Sequence, residues 1–185
     1  MKNLIILGRS PFVNTVNLKN LKYDKLFINV FSELAKYVLS FDDTFKDQKI
    51  SCEYIAPSTG YKFDKHIINF DKDKSNLLGF CYFSVTAAVN FAYLRGYQNV
   101  YLIGIDHNEN IKCYKRNDGT VCHEINSELH RKAKEFIYKF NGKMNIFQTN
   151  PDTNWELKYI DVNRLYKRQG VKNGRNQRRT KEINY

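Results

Sequence analysis

An α/β fold built on a parallel sheet is predicted by three observations. Short apolar runs rich in β-branched and aromatic residues alternate with stretches of helical periodicity, the order that strand–helix–strand units produce. The run Asn99 to Ile105 is apolar without clean alternation, as a strand buried on both faces requires. A helix-like stretch, Phe83 to Arg95, leads into that run and is stopped by Gly96. A chain of 185 residues, 42% apolar and 15% aromatic, can bury the core of one such domain. The expected architecture is a Rossmann-like parallel sheet flanked by helices. It forms a single domain over residues 1–160, followed by a basic, flexible tail over 161–185.

Each element follows from its residues. Leu4 to Leu7 reads as the first strand, ending at Gly8. In the loop after it, Ser10 is a good N-cap and Pro11 suits the first position of a helical turn. A turn start of this kind offers unpaired backbone N–H groups to a phosphate, and Arg9 would add a charge-assisted contact. An ordinary strand-to-turn junction is the competing reading, because neither a G-x-G-x-x-G nor a P-loop lysine motif is present. Lys25 to Val30 is a second strand with Asn29 near its end, and Ser32 to Ser40 has the spacing of a short amphipathic helix. Ile50 to Ile55 is a third strand, closed by the turn cluster Ala56 to Gly60. His66 to Phe70 is a fourth, leading into a charged loop, Asp71 to Asn76.

Beyond the Asn99–Ile105 strand, Asn108 to Glu124 is polar and aperiodic and reads as a long loop. Ile125 to Phe140 is a helix whose buried stripe is Ile125, Leu129, Ala133, Phe136, Ile137 and Phe140. Asn141-Gly142 ends it, Met144 to Gln148 is a last strand, and Pro151 breaks the chain soon after that strand. Trp155 and Tyr159 are expected to pin the final segment to the body.

The net charge is +11, much of it beyond Lys158 in the run Arg164 to Lys181. A tail with so few apolar anchors is either a solvated terminus or an attractor for nucleic acid or an anionic membrane surface. No run of ~18 apolar residues is present to span a bilayer. The opening Met1 to Gly8 is too short for a secretory signal, so Cys52, Cys81, Cys113 and Cys122 are expected as reduced thiols. These features point to the cytoplasm, with peripheral contact at the inner membrane surface as an extension. Oligomerisation is compatible with them.

In open parallel sheets ligands bind beyond the carboxyl ends of the strands. Gly8–Pro11, Asn29 and the polar stretch Asp106 to Tyr114 all come after strand ends, and right-handed crossovers put them on one rim. Gly104 would let another group approach the backbone closely. Asp106 suits a ribose hydroxyl, a metal or a cap on the next loop. His107, just after it, is a possible base near neutral pH. His66 and His130 read as structural. Cys113, Cys122, His123 and His107 match no common zinc spacing, so no metal is expected, and Cys81 reads as a buried thiol.

The strand ending in a Gly/Ser/Pro loop, the Asn closing the second strand and the helix running into "GYQNVYLIGID" resemble the bacterial sialyltransferases of glycosyltransferase family 42. A related core occurs in MAF-like flagellin glycosylation proteins and archaeal pterin pyrophosphokinases. The best-matching stretch is Ser84 to Asp106, with Met1–Tyr37 and Ala133–Pro151 adding weaker matches. The resemblance implies a CMP-sugar donor, a glycan acceptor and inverting transfer, with no cofactor required. It implies that Gly8, Ser10, Pro11 and Asn29 hold the nucleotide, and that Ser84 and Tyr114 steady the departing phosphate. It implies further that His123 is the general base, with a loop histidine beside Glu124 as the plainer alternative. The family's first phosphate-binding tyrosine falls on Asn108, a second nucleotide-contacting Asn is Ala56, an expected arginine is Cys81, and the lid is reduced. The competing functions are a pterin-type pyrophosphokinase on the same core and a non-catalytic nucleotide- or nucleic-acid-binding protein.

Overall fold

The computed structural model describes residues 1–30, 32–40, 52–57, 67–70, 84–105 and 127–167. They contain eight strands: β1 (Asn3–Leu7), β2 (Asp24–Ile28), β3 (Tyr37–Leu39), β4 (Glu53–Pro57), β5 (Ile67–Phe70), β6 (Asn99–Ile103), β7 (Asn145–Gln148) and β8 (Lys158–Tyr159). All neighbours pair in parallel, in the order β5-β4-β3-β2-β1-β6-β7-β8. The chain starts in the middle of the sheet, works outward to β5, then crosses back to lay β6 on the other side of β1. That reversal makes the β1/β6 junction a topological switch point.

The central position of β1 follows from its sequence. Leu4, Ile5, Ile6 and Leu7 are all fully buried, with Leu4 and Ile6 in one core and Ile5 and Leu7 in the other. Four consecutive apolar residues stay out of water only in a strand covered on both faces. The first core is closed by α1 (Ser84–Leu94) and α2 (Ser127–Tyr138). Every residue of α1 from Val85 to Ala92 is buried, whereas α2 buries a narrower stripe that includes Ala133 and Ile137. Among the described residues, the second core is covered by 3-10 turns at Pro11–Thr15, Leu18–Asn20 and Val162–Leu165. Tyr23, Tyr101 and Phe147 stack there, with centroids 5.5 and 5.2 Å apart.

All six predicted strands are present, with shifted ends, and two more join them. The helix expected over Ser32–Ser40 is not formed. The Ser32 hydroxyl instead accepts from the Leu34 amide at 3.2 Å in a tight turn, and the chain then enters β3. Tyr37 and Leu39 go to one core and Val38 to the other, a two-residue period that fits the slot between β2 and β4. Tertiary pairing overrides a weak helical spacing here. Ala56 and Pro57, expected in a turn, complete β4 and pair with Asn69 and Phe70.

At the carboxyl end of the body, Trp155 is fully buried, as expected, and lies against the equally buried His130 ring at 5.1 Å. Tyr159 does not pin the segment with its side chain, which is 50% exposed; its backbone does so by pairing with Gln148. The packed body also runs beyond the expected 160/161 boundary. Leu165 is buried, Tyr166 bridges to Leu21, and the Lys167 amide donates to the Asn20 carbonyl at 2.8 Å.

Two polar networks hold the amino-terminal foot of the sheet. Asn145 Nδ2 donates to Asn99 Oδ1 at 2.9 Å, and Asn99 Nδ2 donates to Asn3 Oδ1 at 2.8 Å. Asn3, Asn99 and Asn145 are register partners on β1, β6 and β7, so the amides form a ladder across three strands. Beside it, the Tyr97 hydroxyl donates to Asp24 at 2.8 Å and Lys36 Nζ does so at 2.7 Å. Burial alone would raise the Asp24 carboxyl, but the bonds from Lys36 and Tyr97 outweigh it and hold it below its ordinary 3.8.

These networks make two expected outcomes. Asn99→Ala strips both neighbours of the ladder and is expected to lower stability by about 1–3 kcal/mol in urea unfolding. Asp24 has its folded value depressed, so its contribution is fully present above the unfolded value and fades as pH falls through the folded one. Asp24→Asn should therefore lower Tm at neutral pH and flatten its decline between about pH 5 and pH 2, measured calorimetrically. Parallel declines for the two proteins would refute that role.

Candidate functional site

The carboxyl ends of β1 and β6 meet at two glycines. The Gly8 amide donates to the Ile103 carbonyl at 2.9 Å, and the Ser10 amide donates to the Gly104 carbonyl at 3.0 Å. A Cβ on Gly8 would overlap the Gly104 carbonyl oxygen, and one on Gly104 would overlap the Val13 side chain. Gly104 also has a φ of +66°, where a side chain is strained. The close approach expected at Gly104 is thus made by the loop after β1.

That loop then turns as its residues direct. Ser10 is the N-cap, its hydroxyl accepting from the Phe12 amide at 3.2 Å, and Pro11 begins the 3-10 turn Pro11–Thr15. The Val13 amide donates to the Ser10 carbonyl at 3.1 Å. The amides of Gly8, Ser10, Phe12 and Val13 are therefore all engaged inside the protein, and Pro11 has none. This corrects the expectation of a turn start with free N–H groups for a phosphate. Two of these donors close the β1/β6 junction and two close the turn onto Ser10, so none of the four is open to a phosphate, and the loop contributes shape and the partly buried Arg9 side chain.

Asn29 comes after β2 on the same rim. Its amide donates to the Leu39 carbonyl at 2.8 Å, and its φ of 54° is left-handed. Asparagine is one of the few non-glycine residues that adopts this conformation readily. The left-handed turn ends the strand and holds the side chain at the rim. Its carboxamide oxygen is buried and has no hydrogen-bond partner among the described residues. A buried acceptor left unbonded costs about 1–3 kcal/mol, so a ligand donor reaching it would recover that loss.

Ser84 opens α1 and is partly buried. The helix ends at Leu94, and the turn after it passes through Gly96, with φ +70°, just before β6 begins at the foot of the sheet. Its eleven residues span about 16 Å, which carries Ser84 to the rim shared by Gly8 and Asn29. Asp106, His107, Asn108, Tyr114 and His123 lie outside the described residues. The chain enters their stretch from Ile105 on that rim, and Ile105 is held from behind: Trp155 Nε1 donates to its carbonyl at 2.7 Å.

Sequence reasoning passed over Ser40 and Thr149, buried polar residues that come after β3 and β7 on the same rim. The Thr149 hydroxyl donates to the Leu102 carbonyl at 2.8 Å. Each is a small polar residue closing an apolar run, the signal that singled out Asn29; for Ser40 the run was masked by its helical spacing. Among the described residues no group of three His, Cys, Asp or Glu side chains is placed to hold a metal ion, and no helix is long and apolar enough to cross a membrane.

Neither a protein-family model nor a curated protein matches the chain. Solved structures do. The chain is similar to the monofunctional α-2,3-sialyltransferase Cst-I of Campylobacter jejuni, at 18% identity and a TM-score of 0.57 over 94% of this chain and 87% of that one. It is similar to the Campylobacter jejuni sialyltransferase CstII in complex with cytidine 5′-monophosphate, at 17% identity and a TM-score of 0.53 over 91% and 88%. A further match is the sialyltransferase CST-II in complex with a trisaccharide acceptor and CMP, at 12% identity and a TM-score of 0.52 over 83% of each chain. At such identities the likeness is one of architecture: this chain has the Rossmann-like α/β fold of the sialyltransferase structures.

Proposed function

We propose that this protein is a glycosyltransferase that takes a nucleotide-activated sugar, with a CMP-sialic-acid-type donor as the sharpest form of the reading. The observation that carries it is the rim at the β1/β6 switch point. There a glycine-pinched loop, a left-handed Asn29 with an unsatisfied buried oxygen, and the exit of β6 come together. The architectural likeness to sialyltransferases solved with CMP, and in one case with a trisaccharide acceptor, supports the same reading.

On this reading Asn29 accepts a hydrogen bond from the donor, and the Gly8–Pro11 loop bounds the nucleotide by shape. The acceptor hydroxyl attacks the anomeric carbon while the bond from that carbon to the phosphate oxygen breaks. The electron pair leaves with CMP, and attack from the opposite face inverts the centre. Charge builds on the leaving phosphate, where hydroxyls of Ser84 and Tyr114 would steady it. His123 would take the acceptor's proton, a task suited to a group that titrates near neutral pH. Asp106, His107 and Asn108 would line the pocket where the chain leaves β6. The basic residues beyond Lys167 would draw the protein toward an anionic membrane surface or nucleic acid.

Calorimetric titration tests the donor half. CMP should bind the full chain, and Asn29→Ala should weaken it by about tenfold, the loss expected for one hydrogen bond to a buried group. No heat at millimolar CMP would remove the nucleotide from the proposal. The acid–base half is tested separately. His123→Ala should cut transfer by about 10²- to 10⁴-fold while leaving CMP affinity in place. Undiminished transfer would reassign the base, with His107 next in line.

A further inference from the structure

We propose that Trp155 is a positioning residue for the donor pocket, acting through the Ile105 carbonyl; this rests on the donor reading above. Trp155 is the only tryptophan in the chain and belongs to the connection between β7 and β8. Its indole is fully buried and its N–H reaches Ile105, fifty residues earlier, at 2.7 Å.

The two carbonyls beyond β6 are held from different directions. Gly104 is held by the Ser10 amide, from the loop after β1. Ile105 is held by Trp155, from the loop after β7. The Ile105 side chain lies beside Gly8: a Cβ on Gly8 would meet its Cγ1 atom at 2.8 Å. Displacing Ile105 therefore moves the neighbour of Gly8, and with it the loop that bounds the pocket.

The other end of the lever is fixed. The Tyr138 hydroxyl of α2 donates to the Trp155 carbonyl at 2.9 Å, and Lys134 pairs with Glu156 at 2.7 Å. The His130 ring packs on the indole at 5.1 Å. The β7–β8 connection is thus bolted to α2 before it reaches β6. The indole N–H transmits that fixed position to the point where the chain enters the candidate site.

A tryptophan present only to fill the core would need no particular partner for its N–H beyond satisfying it. Tyr97 provides the off-site comparison. It is 2% exposed, and its hydroxyl donates to Asp24 at the foot of the sheet, away from the exit of β6.

The test uses the full chain and three substitutions. Trp155→Phe removes the N–H and some volume. Replacing the indole by benzothiophene removes the N–H alone, so it keeps the packing should Trp155→Phe fail to fold. Tyr97→Phe removes a buried bond at the foot of the sheet. CMP affinity is measured by calorimetry, and amide hydrogen exchange of Gly8, Gly104 and Ile105 is measured in ligand-free protein. Both Trp155 replacements should weaken CMP by about tenfold, one hydrogen bond's worth, and speed exchange at those three amides. Tyr97→Phe should leave both readouts as in the unmodified protein. In the unmodified protein CMP should shift the emission of the single tryptophan.

Unchanged CMP affinity in the benzothiophene protein would overturn the proposal. So would equal effects from Tyr97→Phe. If the unmodified protein binds no CMP, the donor reading fails by itself, and exchange then decides the positioning claim: faster exchange in the Trp155 replacements alone sustains it, and no difference overturns it.

Discussion

The structure depends on how closely β1 and β6 come together at their carboxyl ends. The Gly104 carbonyl stands where a Cβ of Gly8 would be, and the Val13 side chain fills that place at Gly104, whose φ is left-handed, which makes Gly8 and Gly104 requirements of the fold before they are features of a site. β1 is the first strand in the chain and the middle one in space, and β6 is laid against it only after four other strands have been placed. The glycine contact therefore joins the two halves of the sheet. It also defines the crevice that parallel sheets use for ligands, because the strand order reverses there.

Around that junction the polar groups divide into two kinds. At the foot of the sheet they are satisfied by one another, in the asparagine ladder and in the Asp24, Tyr97 and Lys36 network. At the rim, one is not: the Asn29 oxygen is buried without a partner among the described residues. Proteins rarely leave such an atom unbonded, and the exceptions tend to mark places where something else arrives. The same rim carries Ser40 and Thr149, so its polar character extends across several strands.

Much of this was legible in the residues. β1 and β6 are continuous apolar runs, and only burial on both faces accounts for such runs in a protein of this composition. Gly104 and Asn29 stood out because a glycine or asparagine after an apolar run is where a chain turns or is approached. β3 was not legible because Tyr37, Val38 and Leu39 are too few to show a strand's period alone; their partners on β2 and β4 make them a strand. β8 was hidden for the same reason, being two exposed residues made a strand by backbone pairing with β7. The role of the Gly8–Pro11 amides was misjudged because sequence shows that a turn starts but not whether its donors are already claimed. Here the carbonyls of Ile103 and Gly104, the last of β6 and the one just past it, claim two of them.

The asparagine ladder has a consequence at the far side of the molecule. Because Asn99 gives to Asn3 and takes from Asn145, the geometry is met only when the three residues stand level. A slip of one residue between β1 and β6 would advance the end of β6 by about 3.3 Å and turn its side chains to the wrong faces. Gly104 would then slide out from beside Gly8, and a bulkier neighbour would be driven into the gap. Three uncharged side chains at the bottom of the sheet thus act as an alignment gauge for an opening a full strand length above them.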